Sequence, residues 1–359
     1  MLVMSEETWT KRSEEAVRCD LSRIGRILIL KCGLWGNRDE EKLIKPFAIL
    51  LAVFLGLLEV GWRFFNMVVC CKEESTKGRK KWFELSHIRE NHPRNGYARV
   101  YNESKAWCLE QKMQDCYIKS IDGLKLHALY LPAEDAKRIV ILSHGYRGSR
   151  FGTLSFMAKY LHEHQCDVLF IEHRCCGDSE GKYITFGAKE QWDVQQWAVY
   201  VSERNKEKLP IYLYGQSMGA AAVLMASGHM LPAEVKGLIA DCGFQSMEGQ
   251  MRDMAANWFH LHHIPLLLIE LDWFCSLLAG FHMKDADTAE AMKKNTRPVL
   301  FFHGEKDTYV YPNNSFQNYM LCRAEKELVI IPGARHLCSA YADPELYQHK
   351  MMEFFEKYD

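Results

Sequence analysis

Gly215-Gln216-Ser217-Met218-Gly219 reads Gly-x-Ser-x-Gly and stands directly after the apolar residues 209–214. The alanine-rich residues 220–226 follow it and favour a helix. This order predicts a strand that turns abruptly into a helix, with Ser217 at the apex. Glycine is needed at both ends of the motif because a side chain there would collide with the neighbouring backbone. The motif therefore predicts a nucleophile elbow, in which the Ser217 hydroxyl and the N–H of Met218 point into the same space.

Composition and charge restrict the kind of protein that carries this motif. The chain has 359 residues, 48% of them apolar, and a formal net charge of −1. That length allows one large domain with an appendage, and the balanced charge provides no basic face for nucleic acid. The 13 cysteines include the vicinal pairs Cys70-Cys71 and Cys175-Cys176 but no CxxC spacing. They suit a reducing environment and suggest neither a zinc ribbon nor a thioredoxin-type site.

Residues 46–69 form a long apolar stretch that is broken by Glu59 and Arg63. As a helix, these 24 residues would extend over ~36 Å, against ~30 Å for the hydrocarbon core of a bilayer. Glu59 and Arg63 are four residues apart and can pair on one helical face. We therefore predict a transmembrane helix at residues 46–69. A helix buried against the soluble domain is the alternative.

The residues on either side of this stretch indicate that it anchors the chain in a membrane, but they do not indicate the orientation of the chain across it. The 45 residues before it exceed the charged region of an ordinary signal peptide, and no small-residue cleavage site follows. We predict an uncleaved, single-pass membrane anchor. Five Lys or Arg residues lie within about 20 residues on each side, so the positive-inside rule leaves open which side of the membrane carries the rest of the chain.

The remaining chain divides into a linker and a region of alternating strands and helices. We predict residues 1–45 as an N-terminal extension, 70–113 as a polar, partly helical linker, and 114–359 as the main domain. Asp122-Gly123, between two short apolar segments, predicts a hairpin. Six later runs are almost continuously apolar, which is typical of strands buried on both faces of a parallel sheet. These runs are residues 138–142, 168–172, 211–214, 235–240, 299–302 and 328–331.

A helical cap insertion is predicted at about residues 244–295, between two of these runs. The segment is rich in apolar and aromatic residues, but Glu270 and Asp272 interrupt it, so we do not predict a second membrane span. Two interpretations remain open: the cap packs its apolar underside on the sheet, or it forms an acyl pocket. The cluster His260, His262 and His263 predicts no metal site, because no carboxylate or cysteine is spaced to complete one.

A serine hydroxyl becomes an effective nucleophile when a base removes its proton and a third group orients that base. Asp307 lies in the loop after the fifth of the apolar runs, and His336 follows the sixth. Such loops meet at the carboxyl edge of the sheet, on the same side as the serine. We predict Ser217, Asp307 and His336 as nucleophile, acid and base. Glu305, in the same loop as Asp307, and Asp241, at the end of the preceding run, remain alternatives for the acid.

The negative charge that develops on an attacked carbonyl needs two backbone N–H donors. Met218 provides one of them. The loop after the first apolar run begins Ser143-His144-Gly145-Tyr146, where Gly145 lets the backbone approach the substrate, so the N–H of Tyr146 is predicted as the second donor. We interpret His144 as a hydrogen-bonding scaffold residue. The long loop at residues 173–181 is predicted to have a structural role in the pocket wall.

Together these motifs resemble those of the α/β-hydrolases, from about Tyr117 to the end of the chain. More narrowly, they are similar to the bacterial membrane-anchored, or cell-surface, α/β-hydrolases of the serine aminopeptidase-like and lysophospholipase-like group. The motifs that carry the resemblance are Asp122-Gly123-Leu124-Lys125-Leu126-His127-Ala128, Ser143-His144-Gly145-Tyr146-Arg147-Gly148-Ser149, Gly177-Asp178-Ser179-Glu180-Gly181, Gly215-Gln216-Ser217-Met218-Gly219, His303-Gly304-Glu305-Lys306-Asp307 and Pro332-Gly333-Ala334-Arg335-His336.

The resemblance implies a mostly parallel, doubly wound sheet with helices on both faces. It also implies the triad Ser217, Asp307 and His336, with an oxyanion hole formed by the backbones of Tyr146 and Met218. The chain departs from the family pattern in one loop, where Arg174-Cys175-Cys176-Gly177 replaces the Arg-Gly-His-Gly of many relatives. This departure concerns the pocket wall, so it affects the identity of the substrate rather than catalysis.

The function that these observations favour is a membrane-anchored serine hydrolase that cleaves small acyl or lipid-like esters without a cofactor. A serine aminopeptidase for short peptides is the alternative, and it would need an acidic group for the substrate's amine, with Glu270 and Asp272 as the central candidates. A non-catalytic binding module of the same fold is the third hypothesis, and it would be expected to carry a broken triad.

Overall fold

Eight strands and their connecting helices form the framework of the computed structural model, which describes residues 38–71 and 95–359. The strands are β1 (Gln114–Lys119), β2 (Lys125–Leu131), β3 (Arg138–Ser143), β4 (Cys166–Ile171), β5 (Ile211–Gln216), β6 (Val235–Asp241), β7 (Val299–Gly304) and β8 (Lys326–Ile331). They form one sheet in the order β1-β2-β4-β3-β5-β6-β7-β8. The predicted extension up to residue 37 and the linker residues 72–94 lie outside the described part of the chain.

Helices connect the strands and flank the sheet. They are α1 (Arg38–Val68), α2 (Ala98–Glu110), α3 (Leu154–Glu163), α4 (Glu190–Arg204), α5 (Met218–Ala226), α6 (Met247–Phe259), α7 (Pro265–Phe274), α8 (Ala289–Lys294), α9 (Asn313–Leu321), α10 (Ser339–Ala342) and α11 (Pro344–Tyr358). A π-helical turn, Cys275–Ala279, continues α7. Helices α6 to α8 lie between β6 and β7, where the sequence predicts the cap insertion.

The sheet is mostly parallel, as the sequence predicts. Strands β1 and β2 form the predicted antiparallel hairpin, and its turn places Gly123 at a φ of +92°, which glycine adopts without steric penalty. Strand β2 pairs antiparallel with β4, and all the remaining pairs are parallel. Each of the six predicted apolar runs coincides with a strand, although β4 ends at Ile171 and leaves Glu172 in the following loop.

Apolar layers cover both faces of the sheet. Along β3, Val140 and Leu142 point into one hydrophobic cluster, while Ile139 and Ile141 point into the other. Helices α3 and α11 contribute to the first cluster, and α4 and α5 contribute to the second. Every residue of β3, β4, β5 and β7 is buried. Burial on both faces explains why these strands are continuously apolar rather than alternating.

The described chain divides into two compact units. One contains the chain up to Cys70 together with Met254–Gly280, and the other contains Cys71–Asp253 and Phe281–Asp359. The second unit holds the sheet. It also includes α2 from the predicted linker, which packs on α3 through the rings of Trp107 and His162, 5.4 Å apart. These two units do not correspond one to one with the predicted domains 1–45, 46–69, 70–113 and 114–359, whose boundaries remain a prediction.

Helix α1 is the one helix of the described residues that is long and apolar enough to cross a membrane. The apolar segment runs over Pro46–Val68, 23 residues, within a helix that begins at Arg38. Only 11% of the most apolar 18-residue stretch of this helix is buried. Arg63 and Glu59 pair at 2.7 Å on its surface, as their spacing predicts. Length and composition make α1 a candidate membrane span.

Candidate active site

The Gly-x-Ser-x-Gly motif forms a sharp turn between β5 and α5. Ser217, between the last residue of β5 and the first of α5, adopts φ 54° and ψ −120°, a conformation that L-residues rarely occupy. Such a residue stores ~1–3 kcal/mol of strain, which the surrounding structure must hold in place. A β carbon on Gly215 would lie 2.4 Å from the carbonyl oxygen of Gly219. One on Gly219 would lie 2.2 Å from the carbonyl oxygen of Ser143, so neither glycine can carry a side chain.

We expect Gly219→Ala to lower the free energy of unfolding by about 3 kcal/mol, because the methyl group would meet backbone atoms of Ser143 and His144 that cannot move aside. Equilibrium denaturation measures this change. Gly96→Ala is the matched control, since a β carbon at Gly96 meets no atom of the described residues within 4 Å. Equal losses in the two variants would contradict the steric explanation.

Ser217, His336 and Asp307 form a continuous hydrogen-bonded series. The Ser217 Oγ lies 3.1 Å from His336 Nε2, and His336 Nδ1 lies 2.7 Å from Asp307 Oδ2. The other carboxylate oxygen of Asp307 accepts the backbone N–H groups of Tyr309, at 2.9 Å, and Val310, at 3.0 Å. An imidazole protonated at Nδ1 donates to the carboxylate and leaves Nε2 to accept the serine proton. This arrangement matches the geometry that a general base needs.

The environment of Asp307 keeps its carboxyl group ionised. Burial alone would favour the neutral acid, but the charges and hydrogen bonds of His336 and His303 outweigh it and hold the pKa of Asp307 well below its usual range. His303 is fixed in turn, because Nδ1 lies 2.7 Å from Ser315 Oγ and Nε2 lies 2.9 Å from the carbonyl oxygen of Val310. Asp307 is therefore a buried carboxylate with two histidine neighbours.

The two alternative acids lie in different environments. Glu305 is exposed, and its Oε2 accepts the N–H of Gly333 at 2.8 Å. The carboxyl group of Asp241 is fully buried and accepts hydrogen bonds from the hydroxyls of Ser339, at 3.0 Å, and Tyr347, at 3.3 Å. None of these three hydrogen bonds involves the imidazole of His336, whereas Asp307 contacts it directly.

Burial raises the pKa of Asp241 to about 6, although Ser339 and the nearby histidines partly oppose the shift. A carboxyl whose folded pKa exceeds its unfolded value binds more protons in the native state, so it makes stability fall as pH rises from about 4 to about 6. We expect this group to remove ~3 kcal/mol over that interval. The difference in unfolding free energy between the wild type and Asp241→Asn, measured at pH 4 and pH 7, should change by that amount. Parallel pH profiles for the two proteins would contradict this prediction.

The predicted oxyanion donors lie beside Ser217. A β carbon on Gly145 would be 3.2 Å from Ser217 Cβ and 3.8 Å from its Oγ, so the loop after β3 approaches the serine closely. Tyr146 is the next residue of this loop. Met218 is the first residue of α5, and its N–H has no acceptor one turn earlier in that helix. The role of these two N–H groups as oxyanion donors remains a prediction.

Hydrogen bonds and ion pairs with neighbouring residues hold His144 and the loop at 173–181 in place. His144 Nε2 accepts the N–H of His173 at 3.2 Å, and its Nδ1 lies 2.8 Å from the carbonyl oxygen of Gly145. Arg174 is buried between Asp193, at 2.8 Å, and Asp122, at 2.9 Å. Cys175 has φ +66°, a left-handed conformation that favours glycine.

Two aromatic features of the site were not predicted from the sequence. The ring of Tyr309 stacks on the imidazole of His336, with centroids 4.7 Å apart. The ring of Tyr146 stacks on Phe186 at 5.0 Å. Tyr309 stands two residues after Asp307, so its position next to the acid was the available signal. These rings limit the orientations that His336 and the loop after β3 can adopt.

Two groups of side chains have the spacing of metal ligands among the described residues. One is Cys242 with Asp307 and His336, and the other is His127 with Glu172 and Asp178. Hydrogen bonds already occupy the histidines: His336 contacts Ser217 and Asp307, while His127 contacts Glu172 and Asp115, each at 2.8 Å. Burial raises the pKa of Cys242, which disfavours the thiolate that a metal would bind.

Comparison with known proteins places this fold and site in context. A family model described as serine aminopeptidase, S33, matches residues 134–272, a segment that contains Ser217 but ends before Asp307. The uncharacterized protein YqkD of Bacillus subtilis is 26% identical over 239 residues, which cover 67% of this chain and 78% of that protein. The α/β-hydrolase domain-containing protein WAV2 of Arabidopsis thaliana is 26% identical over 261 residues, covering 68% and 79%.

Solved structures with similar folds include an esterase and a peptidase. The Pyrococcus furiosus esterase Pf2001 aligns with a TM-score of 0.56 and 22% identity, over 70% of this chain and 95% of the esterase. The Pyrococcus horikoshii acylaminoacyl peptidase aligns with a TM-score of 0.50 and 16% identity, over 68% of this chain and 41% of the peptidase. The mostly parallel eight-stranded sheet, the serine elbow and these similarities show that the chain has the α/β-hydrolase fold and that its residues 134–272 are similar to the serine aminopeptidase family model.

Proposed function

We propose that the protein is a membrane-tethered serine hydrolase that cleaves carboxylic esters through an acyl-enzyme intermediate. The observation that carries the proposal is the unbroken series from Ser217 Oγ to His336 Nε2, at 3.1 Å, and from His336 Nδ1 to Asp307 Oδ2, at 2.7 Å. In this proposal Ser217 is the nucleophile, His336 the general base and Asp307 the group that orients the base.

The reaction begins when Ser217 Oγ attacks the ester carbonyl and its proton passes to His336 Nε2. The tetrahedral oxyanion accepts the N–H groups of Tyr146 and Met218. His336 then gives its proton to the departing alkoxide, which leaves as an alcohol, and Ser217 remains acylated. Water enters, loses a proton to His336 and attacks the acyl carbonyl. As the bond to Ser217 Oγ breaks, His336 returns the proton to that oxygen, and a carboxylic acid and free Ser217 are released. Asp307 stabilises the imidazolium in both half-reactions, acylation and deacylation. No step needs a cofactor.

The choice of an acyl or lipid-like ester rests on the proposed tether. Helix α1 has the length and composition of a single membrane span, and it is mostly exposed, unlike the core helix of a soluble protein. A hydrolase held at a bilayer meets esters with long acyl chains at high local concentration, whereas sugars and nucleotides remain in the water. The fold shared with an esterase is consistent with this substrate class.

A serine aminopeptidase is the second candidate, and the name of the matching family model favours it. That function needs an acidic group that binds the substrate's amine. Glu270 was one candidate from the sequence, but its carboxylate Oε2 lies only 2.6 Å from the position that a β carbon on Gly61 would occupy, so it packs against α1. Rates on p-nitrophenyl esters and on aminoacyl anilides distinguish the two activities. Faster hydrolysis of the anilides would favour the peptidase.

A fluorophosphonate probe tests the proposed nucleophile directly. Such a probe phosphonylates a serine that an adjacent base activates, and we expect the adduct on the tryptic peptide that contains Ser217. Prior incubation with a slowly hydrolysed acyl ester should reduce the labelling, because both reagents modify the same hydroxyl. An adduct on another serine would refute the assignment. Folded protein that takes up no probe would favour the non-catalytic binding module.

A further inference from the structure

Helix α7 and the π-helical turn after it have an inverted distribution of polar and apolar residues. The positions that are exposed carry apolar side chains, which we call the outer face of α7: Leu266, Ile269, Trp273, Leu277 and Leu278. Ile269 is 65% exposed and Leu277 is 62% exposed. The polar residues of the same segment, Glu270, Asp272 and Ser276, are partly buried. A helix in contact with water shows the opposite arrangement.

The other side of α7 packs on the candidate membrane span. The ring of Phe274 lies 5.6 Å from Trp62 and 5.8 Å from Phe65 of α1. A β carbon on Gly61 would lie 2.6 Å from Glu270 Oε2, so the absence of a side chain at Gly61 lets the two helices approach closely. These contacts lie within one compact unit, which fixes the level of α7 along α1.

This level falls inside the apolar segment of α1. Gly61 follows Pro46 by 15 residues and precedes Val68 by seven, which corresponds to ~22 Å and ~10 Å along the helix. The hydrocarbon core of a bilayer is ~30 Å thick. If α1 spans that core, α7 lies beside its last third. The exposed apolar surface of α1 and the outer face of α7 then face the same surroundings.

We propose that the outer face of α7 is embedded in the lipid bilayer, next to α1, as a second membrane-contacting element that does not cross it. The inverted pattern and the packing on α1 carry this inference, which rests on the membrane tether of the proposed function. Lipid acyl chains solvate exposed leucine, isoleucine and tryptophan, and a patch of this kind on a soluble surface would otherwise mark a protein interface. The glutamate and aspartate of α7 are withdrawn from the exposed face, as an apolar surrounding requires.

Quenching of tryptophan fluorescence by brominated lipids tests this placement in the full-length protein. The protein is reconstituted into phosphatidylcholine vesicles with or without bromine on the acyl chains, and the emission of Trp273 is obtained by subtracting the spectrum of Trp273→Phe from that of the wild type. We expect the Trp273 component to lose most of its intensity in the brominated vesicles and to resist aqueous iodide. Quenching by iodide with no effect of bromine would overturn the proposal. Protection from both quenchers would also overturn it and would indicate a protein partner or a second copy of the chain.

Two other tryptophans serve as references. Trp62 lies on the span itself and is 41% exposed, so the Trp62→Phe difference should be quenched by bromine if α1 crosses the bilayer. Trp192 is 39% exposed on α4, in the unit that contains the sheet, and its difference spectrum should respond to iodide instead. If bromine quenches Trp192 as strongly as Trp273, the quenching is not specific to the outer face of α7, and the inference fails.

A pair of charged substitutions provides a second, independent measurement. Ile269→Asp combined with Leu277→Asp should abolish the bromine quenching of Trp273, because two carboxylates would draw the outer face toward water. Ile269→Leu combined with Leu277→Ile should retain the quenching. Unchanged quenching in the charged variant would contradict lipid contact. If bromine does not quench the Trp62 component of the wild type, the tether is refuted. If it quenches Trp62 but not Trp273, only this inference is refuted. Fluorophosphonate labelling reports separately on the catalytic assignment.

Discussion

Ser217→Ala is expected to lower kcat on a p-nitrophenyl ester by about 10⁵-fold or more, because a serine hydrolase without its nucleophile retains only substrate binding and oxyanion stabilisation. The variant should remain folded, since the methyl group of alanine fits the space of the serine side chain and the backbone hydrogen bond from residue 217 to the Asp241 carbonyl is kept. Burst kinetics and steady-state rates on the purified proteins measure the loss. Retention of more than a few per cent of the rate would show that another group is the nucleophile.

Ser143→Ala is the matched control for this prediction. Ser143 is also buried beside a histidine, with Oγ only 2.8 Å from His173 Nε2, which is closer than Ser217 is to its own histidine. The buried Nδ1 atom of His173 has no hydrogen-bond partner in the part of the chain that the structure describes, and burial lowers the pKa of this imidazole well below its usual value. A base that no carboxylate orients or stabilises cannot activate a hydroxyl effectively. We expect Ser143→Ala to change kcat by less than ~10-fold.

Much of the fold could be predicted because strands buried on both faces leave a strong mark on the sequence. The apolar run before Ser217 became β5, and the runs before Asp307 and His336 became β7 and β8. Parallel strands bring their carboxyl ends to one edge, so chain order alone was enough to expect these three side chains to be neighbours. Their spacing of 3.1 Å and 2.7 Å depends on rotamers and backbone angles that no pattern of residues specifies.

In the cap segment, the sequence could not predict which face of α7 is buried. Both sides of α7 are apolar, so the residues alone could not distinguish the buried Leu271 and Phe274 from the exposed Ile269 and Trp273. The sequence left open whether the apolar underside of the cap packs on the sheet or forms an acyl pocket, and it did not predict the contacts between α7 and α1 or the apolar outer face of α7. Tertiary contacts decide between equally apolar faces, and amphipathic periodicity carries no information where polarity does not alternate.

The role that we propose for Asp307 leads to the second large effect. We expect Asp307→Asn to lower kcat by about 10⁴-fold near pH 7, with a small change in KM, because an amide can hold the imidazole in the wrong tautomer and cannot stabilise the imidazolium. The two backbone N–H bonds from Tyr309 and Val310 to Oδ1 can be kept by the amide oxygen, so the protein should stay folded. Steady-state kinetics of the purified variant, with circular dichroism as a check of the fold, measure the effect.

Asp241→Asn distinguishes the orienting carboxylate from a second buried carboxylate close by. Asp241 is completely buried at the end of β6, and its backbone oxygen accepts the N–H of Ser217 at 2.8 Å, so it is near enough to have been an alternative acid. Its carboxyl group accepts the hydroxyls of Ser339 and Tyr347. In the asparagine variant the amide oxygen can accept one of these hydrogen bonds and the amide NH2 can donate to the other hydroxyl, so kcat should fall by less than ~10-fold. If Asp241→Asn loses as much activity as Asp307→Asn, both carboxylates are required; if it alone loses activity, Asp241 is the acid and Asp307 has a structural role.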